Sequence, residues 1–267
     1  MPYPNFSGKH AHDALVAPGT FVEYWVGQGV LPAGFVAPGG VVMLYQRRLF
    51  DAVLSQGGVS PFAPRGRRHT AFLDLHTFDG TDGTVGVTGG FGIGAPAAAN
   101  IVESLAAIGV TRFVSMGTAG ALLPDLDAGD VVVCDRAIRD EGVSHHYLPG
   151  DRWAAPDAEL TARLCGTLAD AGLAPRTGGA WTIDAPFRET VAEARHYAED
   201  GAAVVEMEAA AVFTVARFRG VQAASAFAVS DSLADGEWTP QFGDRRLAES
   251  LIAMVPAAVS ALSGTQG

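Results

Sequence analysis

Val205-Glu206-Met207-Glu208-Ala209-Ala210 lies between an apolar run at 202–205 and a second one that ends at Gly220. The first run has the length of a buried strand, the second that of a helix, and a glycine at 220 is a helix stop. Two carboxylates around a methionine do not belong in such a setting, because acids are seldom buried without a task. A carboxylate here can accept from vicinal hydroxyls, and a thioether can pack on a sugar face. The plainer reading of Glu208 is an acid at a helix start, favoured by the helix dipole.

Outward from this junction the chain alternates strand and helix patterns. Strands are predicted at 40–45, 71–78, 83–88, 111–116, 130–135, 178–183, 202–207 and 223–230. Helices are predicted from Pro96 to about 108 and at 157–171, 188–199, 208–218 and 244–262. Ala98, Ile101, Val102 and Leu105 form one apolar stripe, and Leu160, Leu164 and Leu168 another. This alternation predicts an α/β fold of a single domain, a central mixed β-sheet flanked by helices. Residues 1–38, rich in Pro, Gly and aromatics, read as an N-terminal arm with one short helix, and 39–267 as the domain.

Three small-residue segments follow strand ends, where α/β sheets bind ligands. The first is Gly89-Gly90-Phe91-Gly92-Ile93-Gly94, ahead of a helix opened by Pro96. Its glycines let backbone N–H groups approach an anion. It loosely matches a dinucleotide fingerprint, but the next strand, TRFVSMGT, lacks the acid such a site requires. The second is Gly117-Thr118-Ala119-Gly120, read as a loop with a hydroxyl for an anion. The third is Ser230-Asp231-Ser232, read as a turn in which Asp231 is a general acid or simply a cap.

Composition limits the classes of function. The 267 residues are 48% hydrophobic and 18% charged, which is globular composition. The net charge of −11 speaks against a nucleic-acid partner. No stretch of 18 apolar residues suggests a membrane partner, and no secretory h-region is seen, so a cytoplasmic location is expected. Cys134 and Cys165 read as buried free thiols. His145-His146, read on a strand, would point to opposite faces, so no metal site is expected.

Taken in order, the glycine loop, the Gly-Thr-x-Gly segment, the Val-Glu-Met-Glu-Ala junction and the Ser-Asp resemble the nucleoside phosphorylase and nucleosidase superfamily over about 40–262. Leu122-Leu123-Pro124 through Gly129-Asp130-Val131 adds to the likeness. The resemblance implies cleavage of a nucleoside N-glycosidic bond with no metal or organic cofactor, inorganic phosphate being a co-substrate. It implies that Glu208 binds the ribose hydroxyls, with Met207 lining the sugar and Glu206 positioning them. Asp231 would be the acid at purine N7, and Phe187 or Trp181 would stack on the base. His10 or His12 would reach the 5′-hydroxyl pocket of a neighbouring subunit in a homodimer or hexamer. Arg48, Arg68, Gly92 and Thr118 would hold phosphate.

Two departures bear on the reaction. The family's Gly-Asp-Pro-x-Arg loop is replaced by Leu44-Tyr45-Gln46-Arg47-Arg48, and its arginine two residues before Gly117 is Ser115. The nucleosidase branch also lacks that arginine but needs a glutamate near the first strand, and 43–50 holds no acid. Phosphorolysis with a purine preference is the leading expectation. Hydrolysis by water, and a non-catalytic nucleoside-binding relative, are the alternatives.

Overall fold

The computed structural model describes residues 6–31, 34–62 and 74–264. In chain order its elements are α1 (Pro18–Gly27), β1 (Gly40–Leu44), α2 (Arg47–Gln56), β2 (Val59–Pro61), β3 (Leu75–Phe78), β4 (Val85–Gly89) and α3 (Ala95–Ala107). There follow β5 (Arg112–Ala121), β6 (Val131–Asp140), α4 (Ser144–Tyr147), β7 (Trp153–Ala154), α5 (Ala158–Asp170) and β8 (Arg176–Ile183). The last are α6 (Val191–Glu199), β9 (Ala202–Glu206), α7 (Ala209–Arg219), β10 (Gln222–Ser232), β11 (Thr239–Pro240) and α8 (Arg245–Ser263).

The sheet is mixed, as the alternating pattern predicts. β1 runs parallel between β4 and β5, and β10 runs parallel on the other side of β5. β2 and β3 extend the β4 edge antiparallel. β5 and β10 outrun these neighbours. β10 also pairs antiparallel with β6, which continues in parallel to β8 and β9, and β9 returns antiparallel to the end of β5. The five strands β5, β10, β6, β8 and β9 thereby close into a ring. Register shifts at Cys134/Arg136, Gly179/Ala180 and Val229/Asp231 provide the local bends that closure needs.

Period-two alternation sends side chains to two faces. Val41, Met43, Phe113 and Phe227 pack with α3 and α7. Val42, Leu44, Val114 and Met116 pack with α2, α5 and α8. α7 is apolar all round and buried from Ala209 to Ala216, the pattern of an interior helix. α8 is, among the described residues, the one helix long and apolar enough to cross a membrane. Here its Leu247, Leu251, Met254, Val255 and Leu262 are core residues of the second face. A third core, Leu122, Ile138, Trp181, Ile183 and Val205, lies beside the ring strands and α6.

Four expectations change. Gly117-Thr118-Ala119-Gly120 is not a loop but the continuation of β5, and Ser230-Asp231-Ser232 is the end of β10 rather than a turn. The glycines of β5 serve close packing: a Cβ on Gly117 would sit 3.0 Å from Tyr45 Cδ2, and one on Gly120 2.7 Å from Leu233 Cδ1. His145 and His146 lie on the helical turn α4, not on a strand. α2 was not anticipated, although Leu49, Phe50 and Val53 carry a short amphipathic signal.

Gly89, at the end of β4, lies against Phe50. A Cβ there would fall 2.5 Å from Phe50 Cγ, and Phe50 is fully buried. Gly89→Ala should therefore lower stability by about 1–3 kcal/mol through overpacking. Chemical denaturation checks this, and an unchanged midpoint would contradict it.

Candidate active site

The β9–α7 junction is held by its own carboxylates. Glu206 Oε2 accepts from the backbone N–H of Glu208 at 2.7 Å and of Ala209 at 2.8 Å. Its Oε1 accepts from the Thr182 hydroxyl, whose oxygen accepts from Ala210 N–H at 3.0 Å. The first N–H groups of a helix have no partner within the helix, and an anion there also meets the positive end of the dipole. Glu206 thus acts on the scaffold, fixing the backbone from which Glu208 projects. Glu208 Oε1 accepts from Gly94 N–H at 2.5 Å, a bond across 114 positions of sequence. Burial pushes Glu206 from 4.5 up to about 7, against the opposing pull of its hydrogen bonds from Thr182, Glu208 and Ala209. Burial, then the charge of Glu206, pushes Glu208 up to about 8.

Gly94 belongs to the loop after β4, where Gly90, Gly92 and Gly94 have φ of 72°, 95° and 90°. That is the region glycine tolerates, so the loop can present its N–H groups. Met207 Cε lies 3.9 Å from where a Cβ on Gly94 would stand, which places the methionine on the same wall as Glu208. The arginine at this loop is Arg47: its Nη1 lies 3.0 Å from the Cβ position of Gly90, and it pairs with Asp51 at 2.8 Å. Arg48, the arginine expected from the sequence, is the next residue of α2 and is exposed, as Arg47 is. Arg68 lies outside the described residues. Thr118 Oγ1 accepts from Gln46 Nε2 at 3.1 Å, so its own proton is free to donate.

Ser115 bonds to Ser225 across β5 and β10, Oγ to Oγ at 2.5 Å. Beside it stands Tyr45, whose buried ring lies over Gly117 and meets Phe91 edge-on, with centroids 5.6 Å apart. Burial pushes the Tyr45 phenol well up, the charges of Glu208 and Glu206 add to this, and Ser115 opposes it. Gln46 Oε1 is buried with no hydrogen-bond partner among the described residues. Bulk and neutral polar groups occupy the region where the resemblance calls for an arginine.

At the end of β10, Asp231 Oδ1 accepts from Ser230 Oγ at 2.6 Å and Oδ2 from Trp238 Nε1 at 2.9 Å. Phe187 is fully exposed on the single turn Pro186–Arg188. Next to it, burial pushes Glu189 up to about 7, helped by the charges of Asp231 and Glu193. Trp181 is withdrawn from the base-stacking set: it is fully buried, donates to Asp140 Oδ2 at 2.9 Å and packs on Tyr197. His10 and His12 line a cleft with Phe218 and Arg219, at the far end of α7 from Glu208. An 11-residue helix spans about 16 Å, so within one chain these histidines do not join the site. Sequence reasoning did not select Tyr45, Gln46, Arg47, Thr182, Glu189 or Trp238 as site residues: the first three lie where the sequence departs from the family's motif, and the others carry no motif signal of their own.

Strand ends of β1, β4, β5, β9 and β10 thus bring a glycine loop, a buried glutamate and an aspartate together, and the sequence profile of the phosphorylase superfamily matches residues 50–260. The chain belongs to the phosphorylase superfamily. This superfamily member is 35% identical to a guanosine phosphorylase from Halorubrum lacusprofundi over 173 residues, 65% of this chain and 70% of the relative. Its fold matches a uridine phosphorylase from Vibrio fischeri with a TM-score of 0.69 at 23% identity, covering 85% of this chain and 91% of that one. It also matches an AMP nucleosidase from Bacteroides thetaiotaomicron with a TM-score of 0.67 at 21% identity, covering 92% and 97%. Like these relatives, the phosphorylase-superfamily chain is an enzyme.

Two predictions follow from the buried groups. A carboxyl whose pKa is higher in the fold than in the unfolded chain makes the native state the more protonated one. The contribution of Glu206 and Glu208 is therefore complete below about pH 4.5 and is lost as pH rises through 7 and 8. Glu206→Gln should flatten this fall in denaturation midpoints measured from pH 5 to 8, and equal slopes in both proteins would contradict it. Ser115→Arg would drive a long side chain into Tyr45 and Ser225 and should cost about 1–3 kcal/mol. Adding Tyr45→Ala should recover much of that loss, a coupling read directly from a double-mutant cycle.

Proposed function

We propose that this enzyme cleaves the N-glycosidic bond of a purine nucleoside by phosphorolysis, releasing the free base and ribose 1-phosphate. The observation that carries this reading is the Gly94–Glu208 hydrogen bond, which joins an anion-facing glycine loop to a buried carboxylate suited to ribose hydroxyls. Sugar and anion would thereby meet at one wall, the geometry an in-line displacement at C1′ requires.

In this reading Glu208 accepts from the 2′- and 3′-hydroxyls, with Met207 against the sugar and Glu206 holding the junction. Phosphate lies against the loop N–H groups near Gly92, with the Thr118 hydroxyl and the Arg47 guanidinium as further donors. Arg68 of a neighbouring copy is a candidate for an additional charge. As the C1′–N bond breaks, the sugar gains oxocarbenium character and the phosphate oxygen forms the new bond to C1′. The departing base takes up a proton, and Asp231 is the acid placed for a purine, with Phe187 as an aromatic face for the base. The exposed apolar side chains Phe6, Leu15, Phe21 and Tyr24 of the arm, with Phe218, support a homodimer or hexamer in which His10 or His12 serves a partner's site.

Ser115 and Tyr45 favour a second reading, hydrolysis, because a neutral pocket demands less of water than of a dianion. Base release from inosine, followed with and without phosphate, separates the two. Phosphate-dependent release with ribose 1-phosphate as product supports phosphorolysis, whereas phosphate-independent release of ribose overturns it. Glu208→Ala should abolish activity on ribosides while the protein stays folded by circular dichroism, and near-normal turnover would remove the ribose assignment. Asp231→Ala should slow purine nucleosides by about 10²–10⁴-fold. Substrates with an activated leaving group should be affected far less, and equal loss on both would exclude Asp231 as the acid.

A further inference from the structure

The segment after β10 turns back as β11, so that Asp231 faces Pro240 and Ser232 faces Thr239 across an antiparallel pair. This hairpin lies against the start of α6: a Cβ on Gly236 would stand 3.3 Å from Val191 Cγ1. The turn carrying Phe187 immediately precedes α6, and Glu189, two residues on, feels the charge of Asp231. Two aromatic side chains, Phe187 and Trp238, therefore occur on the two segments that flank Asp231.

Trp238 is unusual on two counts. Its indole N–H is committed to Asp231 Oδ2 at 2.9 Å, yet its ring is 63% exposed. A large indole left in water while its polar end is tied to the half-buried end of β10 has an unused apolar face. Phe242, also exposed, flanks it at 6.2 Å between centroids. The other described tryptophans are withdrawn to different degrees, Trp25 and Trp181 buried and Trp153 half-buried.

We propose that Trp238 is both a positioning residue for Asp231 and a stacking face for the base: its N–H fixes one carboxylate oxygen while Ser230 fixes the other, and its exposed ring receives the heterocycle. The assignment rests on the proposed reaction for its substrate class and adds a residue that no motif reading selects. With one donor on each oxygen, the carboxylate cannot rotate away from the base. Base–aromatic stacking depends on the π-face, so Trp238 contributes affinity for the base and Asp231 its chemistry.

The test uses the full chain with inosine as probe, in Trp238→Phe and Trp238→Ala, each first shown to be folded by circular dichroism. Trp238→Phe keeps an aromatic face but loses the N–H. It should lower kcat about 10-fold, the scale of one hydrogen bond to a charged group, with KM within about threefold of wild type. Trp238→Ala should also raise KM by about 10-fold through lost stacking. Inosine without phosphate should quench the tryptophan fluorescence of the wild type, and most of that quench should vanish in Trp238→Phe. An unchanged kcat in Trp238→Phe would overturn the positioning role, and a quench retained in that variant would overturn the stacking role. A wild type that cleaves no nucleoside would remove the proposed reaction instead, and the quench would still decide whether Trp238 meets the base.

Discussion

The closure of Glu206 onto the first turn of α7 is the constraint on which the rest of the site depends. A strand ends, a helix begins three residues later, and the N–H groups at that start sit in an interior where no solvent can satisfy them. Glu206 satisfies two of them, and the Thr182 hydroxyl ties the carboxylate to β8. With that end fixed, Glu208 has one direction to take, toward Gly94. The loop after β4 is in turn drawn onto the end of β9, and two parts of the site distant in sequence become one wall. Both acids are held at a cost, which shows as pKa values pushed up by burial.

A second constraint is steric. The family resemblance calls for an arginine where this chain has Ser115, and a single missing charge would leave a hole or an anion site with one donor fewer. In this chain the region is filled by neutral groups. Tyr45 lies in from β1 over Gly117, and Ser115 pairs with Ser225. The two departures seen in sequence, at 44–48 and at 115, are therefore neighbours in space. Among the described residues, the cation at the edge of the loop is Arg47, held by Asp51.

Most of the fold was legible in the sequence, for identifiable reasons. Long apolar runs with clear periods, such as Val131-Val132-Val133 and the Leu160, Leu164, Leu168 stripe, declare their type locally. α2 escaped because its apolar face is only Leu49, Phe50 and Val53 among polar residues. The ends of β5 and β10 were misjudged because glycine, serine and aspartate are turn residues by propensity. Here they continue strands, since Gly117 and Gly120 make room for Tyr45 and Leu233. Trp181 carried the right chemistry for stacking but alternates into the third core.

By itself the sequence determined the class of fold and singled out the acids for which a role is proposed. Strand and helix periods are local properties, and an acid pair inside an apolar run stands out wherever it folds. Only the tertiary structure decided which residues share a wall: Gly94 with Glu208, Arg47 rather than Arg48 with Gly90, Tyr45 with Ser115, and Trp238 with Asp231. The physical reason is that a side chain's partner depends on strand register, on ring closure and on which of two faces it alternates into. None of these is encoded in the spacing of the residues that meet.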